Sequence, residues 1–134
     1  MENESGVIDE FINWNKLKIH LELHGRQPNP TQGEMWWAGV GKNLGSEING
    51  KNAVFSRPIL VYKKLSRYKF LGVPLTSKAH VGSWYVSFMQ NGKLQTAVLS
   101  DIKVMSIKRL YSRIGKIDDR DMLIIREAFM KLYS

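Results

Sequence analysis

Between Glu34 and Met105 the chain is a succession of short β-forming runs, each closed by a turn signal, and this succession narrows the fold more than any other feature. The runs are "EMWWAGV", "AVFSRPILVYK", "KFLGVPLTS", "WYVSFMQ" and "LQTAVLSDIKVM", separated by Gly, Asn or Lys turns. The Asn91-Gly92 pair in "MQNGKL" is the strongest short-range hairpin signal, because both residues tolerate the positive φ that a two-residue turn requires. Short strands at such close spacing bury their apolar faces by curling, which predicts a small, strongly bent antiparallel sheet or barrel. Helical periodicity flanks the runs. "VIDEFINWNKLKIHLELH" (7–24) places Phe11, Trp14, Leu17 and Leu21 on one stripe, with Gly25 as the stop. Pro28 and Pro30 in "RQPNPTQG" break any helix there. In "IDDRDMLIIREAFMKLYS" Asp118 can cap, Asp119 and Asp121 fill the first turn, and Met122, Ile125, Phe129 and Leu132 form the apolar face. The expected class is α+β: a helical extension and linker over 1–32, then a barrel domain over 33–134.

A chain of 134 residues with 43% hydrophobic side chains can build one real core. The absence of cysteine excludes disulfides, thiolate metal sites and a cysteine nucleophile, and suits the cytoplasm. No apolar run reaches membrane-spanning length, so no membrane association is expected. The acidic start "MENESGVIDE" lacks the basic and apolar regions of a signal peptide. The formal net charge is +8, and it is unevenly placed. Residues 42–78 hold eight basic side chains (Lys42, Lys51, Arg57, Lys63, Lys64, Arg67, Lys69, Lys78) against Glu47 alone. Positive charge concentrated in this way favours a polyanion, through phosphate contacts and counterion release.

Several constellations invite a chemical reading. His20 and His24 in "HLELH" have a helical spacing that can chelate zinc. However, Glu22 falls on roughly the opposite face, and Leu21 stands where a metalloprotease motif needs glutamate. Helix-surface histidines and no metal site are therefore expected. Trp36 and Trp37 could stack bases, but adjacent strand residues point to opposite faces, so at least one belongs to the core. No phosphate-loop or GxSxG motif occurs. The residue that stands out is Arg57, a guanidinium between Phe55 and Pro58 in an otherwise apolar run. A buried arginine needs a partner. Either it pairs with Glu47 and ties the preceding Gly-rich loop to the barrel, or it faces a substrate.

In order along the chain, Gly33 to Trp37, Gly45-Ser46-Glu47 with Gly50, Arg57-Pro58 to Val61, "VPLTSK" (73–78) and "AVLSDIKVMSIKRLYSRIGKIDDRDMLIIREAF" resemble the PemK/MazF-like toxins of bacterial toxin–antitoxin systems over about residues 33–133. The resemblance implies an SH3-like antiparallel barrel with a C-terminal helix, usually a homodimer. It implies a ribonuclease that cuts single-stranded RNA without metal or cofactor and is inhibited by a cognate antitoxin protein. The catalytic pair it implies is the arginine of the "RP" strand and the threonine of the "T-S" strand end, Arg57 and Thr76. Glu47, Asn49, Lys51, Ser56, Ser77, Lys78, Asp101 and Lys103 are the supporting or RNA-binding candidates. Ser100-Asp101-Ile102-Lys103 stands where the family pattern has an acid, Gln and then Arg. That departure keeps a second expectation open: a barrel of the same fold that binds RNA or a partner without cutting.

Elementary chemistry agrees with a nuclease. RNA carries its own nucleophile, the 2′-OH, so the protein need only stabilise charge on phosphorus-bound oxygens. A guanidinium clamps two such oxygens, and a threonine hydroxyl donates to a third group. Glu47, Asp101 and His80 are the candidate proton acceptors. The loop 42–52, with its glycines, can fold over RNA. The acidic N-terminal segment carries an apolar stripe that has to dock. It is expected on the face away from 42–78 as an added layer, the alternative being an acidic restraint laid over the basic face.

Overall fold

The structure, a computed structural model, describes residues 4–44, 47–51 and 54–134. Gly45 and Ser46 of the G-S-E loop motif lie outside the described residues, as do Asn52, Ala53 and the acidic Glu2. Helix α1 spans Glu4–His24 and helix α2 spans Asp119–Leu132. Between them run β1 (Glu34–Gly39), β2 (Ser56–Lys64), β3 (Lys69–Thr76), β4 (Tyr85–Gln90), β5 (Lys93–Val98), β6 (Lys103–Ser106) and β7 (Leu110–Lys116). The fold is α+β, as the sequence predicts. The strands pair antiparallel in the order β4-β5-β3-β2-β1-β7, with β6 added on β3.

The curl is made within β3. Its first half, Lys69 to Gly72, pairs with β6, whereas Leu75 and Thr76 pair with Ala97 and Thr96 of β5. One strand thus serves two ladders, and the sheet bends at that strand. The "PILVY" run sits beside it, and its side chains alternate between two cores. Ile59 and Val61 join Ala38, Val40, Phe70, Met105, Ile107 and Leu110. Leu60 and Tyr62 join Met35, Val73, Leu75, Phe88, Leu99 and the α2 residues Met122 and Ile125. Burying an aliphatic side chain such as Ile59 or Leu60 stabilises by roughly 1.5–3 kcal/mol, so a strand buried on both faces anchors the domain.

Local signals are realised where they are strong. Gln90 and Lys93 pair across Asn91 (φ 50°) and Gly92 (φ 77°), the two-residue turn the sequence requires. Gly25 ends α1, its N–H bonding to Leu21 O at 3.0 Å. Two expectations need correction. The run "LQTAVLSDIKVM" is two strands, because a 3-10 turn at Leu99–Asp101 redirects the chain from β5 to β6. Asp118 takes the N-cap position of α2, but its side chain makes no capping bond; its main-chain carbonyl accepts from Met122 N at 2.9 Å instead.

The docking of α1 also differs from expectation. Its stripe is buried through Trp14, 5% exposed, but against Gly41 and Phe55 and not on the face away from 42–78. The indole packs on Phe55 with ring centroids 5.7 Å apart, and the Arg109 guanidinium lies 5.6 Å from its ring. Glu10 pairs with Lys42 at 3.0 Å and Glu22 with Lys108 at 3.6 Å. The seat exists because Gly41, at φ +85°, has no Cβ: one placed there would come within 2.1 Å of the Trp14 ring. Among the described residues, no helix is long and apolar enough to cross a membrane.

Candidate functional site

Arg57 stands near the start of β2, with its Cα opposite Ala38 of β1. Its Nε donates to the main-chain carbonyl of Asn49 at 3.0 Å and its Nη1 to that of Leu75 at 3.3 Å. The expected alternative partner, Glu47, is otherwise engaged: its carboxylate accepts from Leu44 N at 3.0 Å inside the loop. Arg57 therefore does tie the loop to the barrel, but through a peptide carbonyl. Main-chain dipoles orient the guanidinium, and the Asp101 carboxylate acts on its charge from nearby.

The loop holding Asn49 is itself built by side-chain amides. Asn49 Oδ1 accepts from Asn43 N at 2.6 Å, and Asn43 Nδ2 donates to the carbonyls of Val40 and Ile48. Lys51 and Ser56 exchange both main-chain bonds, at 2.8 and 2.9 Å. Between them Phe55 is held at φ 51°, a left-handed conformation that costs a non-glycine residue about 1–2 kcal/mol. Its burial against Trp14, and its carbonyl accepting from both Val40 N and Gly41 N, offset that strain.

Two cavities meet at Arg57. The smaller, about 290 Å³, is lined by Arg57, Thr76, Lys51, Lys78, His80, Tyr85 and Asp101, among others. The larger, about 570 Å³, shares Lys51, Arg57 and Thr76 with it and extends past Trp37, Ser56, Ser77 and Ile114 to Lys93 and Gln95. The Thr76 hydroxyl accepts from Lys78 N at 3.3 Å, which leaves its own proton to donate. The His80 ring stacks on Tyr85 with centroids 4.7 Å apart and planes 14° from parallel.

Burial pulls the Arg57 guanidinium down from its ordinary pKa, opposed by the Asp101 carboxylate. Burial likewise pushes the Asp101 carboxyl above its ordinary value; Lys103 and then Arg57 oppose this, and Glu47 reinforces it. Lys103 is drawn below its ordinary value by burial first and by Arg109 second, with Glu47 and Asp101 working against both. Glu47, Asp101, Lys103 and Arg57 thus form one electrostatic group, although Glu47 and Lys103 line neither cavity. Ser100 is exposed on the 3-10 turn and lines neither cavity.

The basic segment is not one face. Lys51, Arg57 and Lys78 reach the cavities, and Lys42 is paired with Glu10. Lys64 donates to Asn29 and Pro30 at the far end of β2, about 23 Å from Arg57 at some 3.3 Å per residue. Trp36 joins the core and Trp37 is 41% exposed in the larger cavity, so the sequence argument for the pair holds. His20 and His24 are exposed with ring centroids 5.3 Å apart; among the described residues, no three His, Asp or Glu side chains are placed as metal ligands. Sequence reasoning missed Tyr85, Lys93 and Gln95. The Asn91-Gly92 turn delivers Lys93 and Gln95, but a hairpin signal does not say what the hairpin faces.

A family model for the PemK-like, MazF-like toxin of type II toxin–antitoxin systems matches residues 31–133. No curated protein sequence matches the chain. Among solved structures, it resembles an endoribonuclease from a mycobacterial species in complex with its cognate antitoxin: 15% identity, 78% of this chain and 94% of that one, TM-score 0.62. It also resembles MazF from Deinococcus radiodurans, with 17% identity over 79% of this chain and 97% of that one at TM-score 0.65. The MazE-MazF structure from the same organism gives 14% identity, 80% and 97% coverage, and TM-score 0.61.

Proposed function

The chain belongs to the PemK-like, MazF-like toxins of type II toxin–antitoxin systems, and from that premise we propose that it is a metal-independent endoribonuclease acting on single-stranded RNA. The observation that carries this reading is the Arg57 guanidinium, held by two peptide carbonyls at the meeting point of two cavities beside Thr76. The scissile phosphate binds there. The 2′ oxygen attacks the adjacent phosphorus, its proton passes to a base, the bond from phosphorus to the 5′ oxygen breaks, and that oxygen takes a proton from water. Charge that develops on the non-bridging oxygens is met by Arg57 and by the Thr76 hydroxyl, with Lys51 and Lys78 adding positive potential.

Of the three candidate acceptors, Asp101 and His80 line the cavity with Arg57, whereas the Glu47 carboxylate is engaged in the loop. Asp101 is the proposed base, since burial raises its basicity toward the working pH. The protein acts in the cytoplasm, as a homodimer inhibited by a cognate antitoxin. The comparison structures that contain an antitoxin support that partner. One observation favours a second reading, an RNA-binding barrel that does not cut: Lys103 and Ser100 stand outside both cavities and depart from the family pattern.

Long single-stranded RNA incubated with the protein in EDTA separates the two. Cleavage is expected to give 2′,3′-cyclic phosphate and 5′-OH ends, and a 2′-deoxy nucleotide at the scissile position should block it. Arg57→Ala should lose on the order of 10²–10³-fold or more, and Arg57→Lys should recover little because the fork geometry is lost. Products with 5′-phosphate ends, or full activity in a folded Arg57→Ala protein, would overturn the mechanism.

A further inference from the structure

We infer that the larger cavity beside Arg57 is a nucleobase pocket in which Gln95 selects bases that carry an exocyclic amino group, an inference that rests on the nuclease reading above. Among the described residues, Gln95 Oε1 is the one buried side-chain nitrogen or oxygen atom without a hydrogen-bond partner. Buried acceptors are nearly always paired, and an unpaired one that lines a cavity points to a donor brought by a ligand. Gln95 lines the same cavity as Arg57 and Thr76. It lies on β5 two residues before the core residue Ala97, so its side chain enters from the barrel's inner side. Its neighbour Thr96 is buried on the opposite face and bonded to Ser87 at 2.8 Å, which leaves the inner side to Gln95.

The other walls fit a planar base. Trp37 offers an exposed aromatic surface, Pro58 and Ile114 are apolar, and Lys93 stands at the rim of the Asn91-Gly92 turn with its charge available to a flanking phosphate. A strand of RNA with its phosphate on Arg57 therefore has an adjoining stacking surface and a recessed acceptor. The amino group of adenine, cytosine or guanine projects beyond the ring and reaches such an acceptor. The ring N–H of uracil is flanked by two carbonyl oxygens, which would be pressed against the buried Gln95 oxygen. Recognition of this kind is strongly discriminating, because a base without the donor leaves the acceptor desolvated and unpaired.

Two readouts test the assignment. The first is sequencing of fragment ends from long RNA cut by wild-type protein, Gln95→Leu and Gln95→Glu, each checked for folding by thermal denaturation. The wild type is expected to require an amino-bearing base at one position. Replacing that base by its amine-free analogue (purine, 2-pyrimidinone or inosine) should lower cleavage by at least about fivefold. Gln95→Leu should level the preference at that position while still cutting, and Gln95→Glu, which keeps an acceptor, should retain it. Unchanged preference in Gln95→Leu, or analogues cut as well as the parent, would overturn the proposal.

The second readout is fluorescence anisotropy with short oligo-dA, oligo-dC and oligo-dT, which lack the 2′-OH and cannot be cut. Tighter binding of oligo-dA or oligo-dC than of oligo-dT, lost in Gln95→Leu, supports the pocket even if no RNA is cleaved, a result that would defeat the nuclease reading alone. Equal binding of all three, with no gain when guanine is placed within oligo-dT, would overturn the pocket, and leaves the nuclease reading standing if RNA is cut.

Discussion

Replacing Trp14 by alanine tests whether the N-terminal helix is part of the catalytic framework. The side chain is 5% exposed, packs on Phe55 and under Arg109, and fills the space left by Gly41. Truncating a buried tryptophan costs about 3–5 kcal/mol. For a chain of 134 residues the entropy of unfolding is roughly 0.3 kcal/mol per kelvin, so Tm should fall by about 10–17 °C in a circular dichroism melt. The second half of the prediction concerns cleavage. Phe55 keeps its left-handed backbone because Trp14 buries it, its carbonyl holds Val40 and Gly41, Gly41 O accepts from Gly50 N at 2.8 Å, and the adjoining Asn49 carbonyl fixes Arg57. Loosening this succession lets the guanidinium wander, so kcat should drop at temperatures where the variant is fully folded, with KM little changed. Trp14→Phe should restore part of both quantities. A loss of Tm below about 4 °C would show that the helix is not seated as described. A separate early melting transition, or full kcat in a folded Trp14→Ala protein, would reduce α1 to a passive cover.

Two glycines with similar backbone angles should respond differently. Gly92→Ala meets nothing within 4 Å and should cost only the left-handed strain, about 1 kcal/mol, whereas Gly41→Ala adds a collision with Trp14 and should melt far lower in parallel denaturation curves. Asp101 should give opposite pH trends in two assays. Its folded pKa is raised, so from the ordinary carboxylate value up to that raised value the folded state binds more protons than the unfolded state, and stability falls as pH rises. If it is the base, cleavage rises across the same window. Asp101→Asn should remove both slopes, and a variant that keeps the rise in activity would exclude Asp101 as the acceptor.

What could be read from the sequence was what is local. The Asn91-Gly92 turn, the α2 stripe through Met122 and Ile125, and the two-faced "PILVY" strand all follow from residue type and spacing. β7 could not be read this way: "LYSRIGK" mixes charge and glycine, and it becomes a strand only by pairing with β1 through two register shifts. The 3-10 turn at Leu99–Asp101 falls on Ser100 and Asp101, a short polar break that the β-forming residues on either side mask. The family resemblance names Arg57 and Thr76 as candidates, and they line the same cavities, but it does not give the means of holding Arg57, because peptide carbonyls have no signature in side-chain identity. The Trp14 seat depends on the missing Cβ of Gly41, a complementarity between segments 27 positions apart in the chain.

The two carbonyls that cradle Arg57 bear on how such a protein tolerates mutational drift. A carboxylate partner can be erased by a single substitution, and the arginine would then turn away or need a compensating change elsewhere. The oxygens of Asn49 and Leu75 belong to the main chain, so they persist whatever side chains come to occupy those positions, provided that the backbone keeps its path. Selection on the arginine's orientation therefore falls on residues that shape the loop, such as Asn43, Phe55 and Gly41, and not on any one ionic partner. A lineage built this way can rewrite most of its surface and keep that arginine aligned.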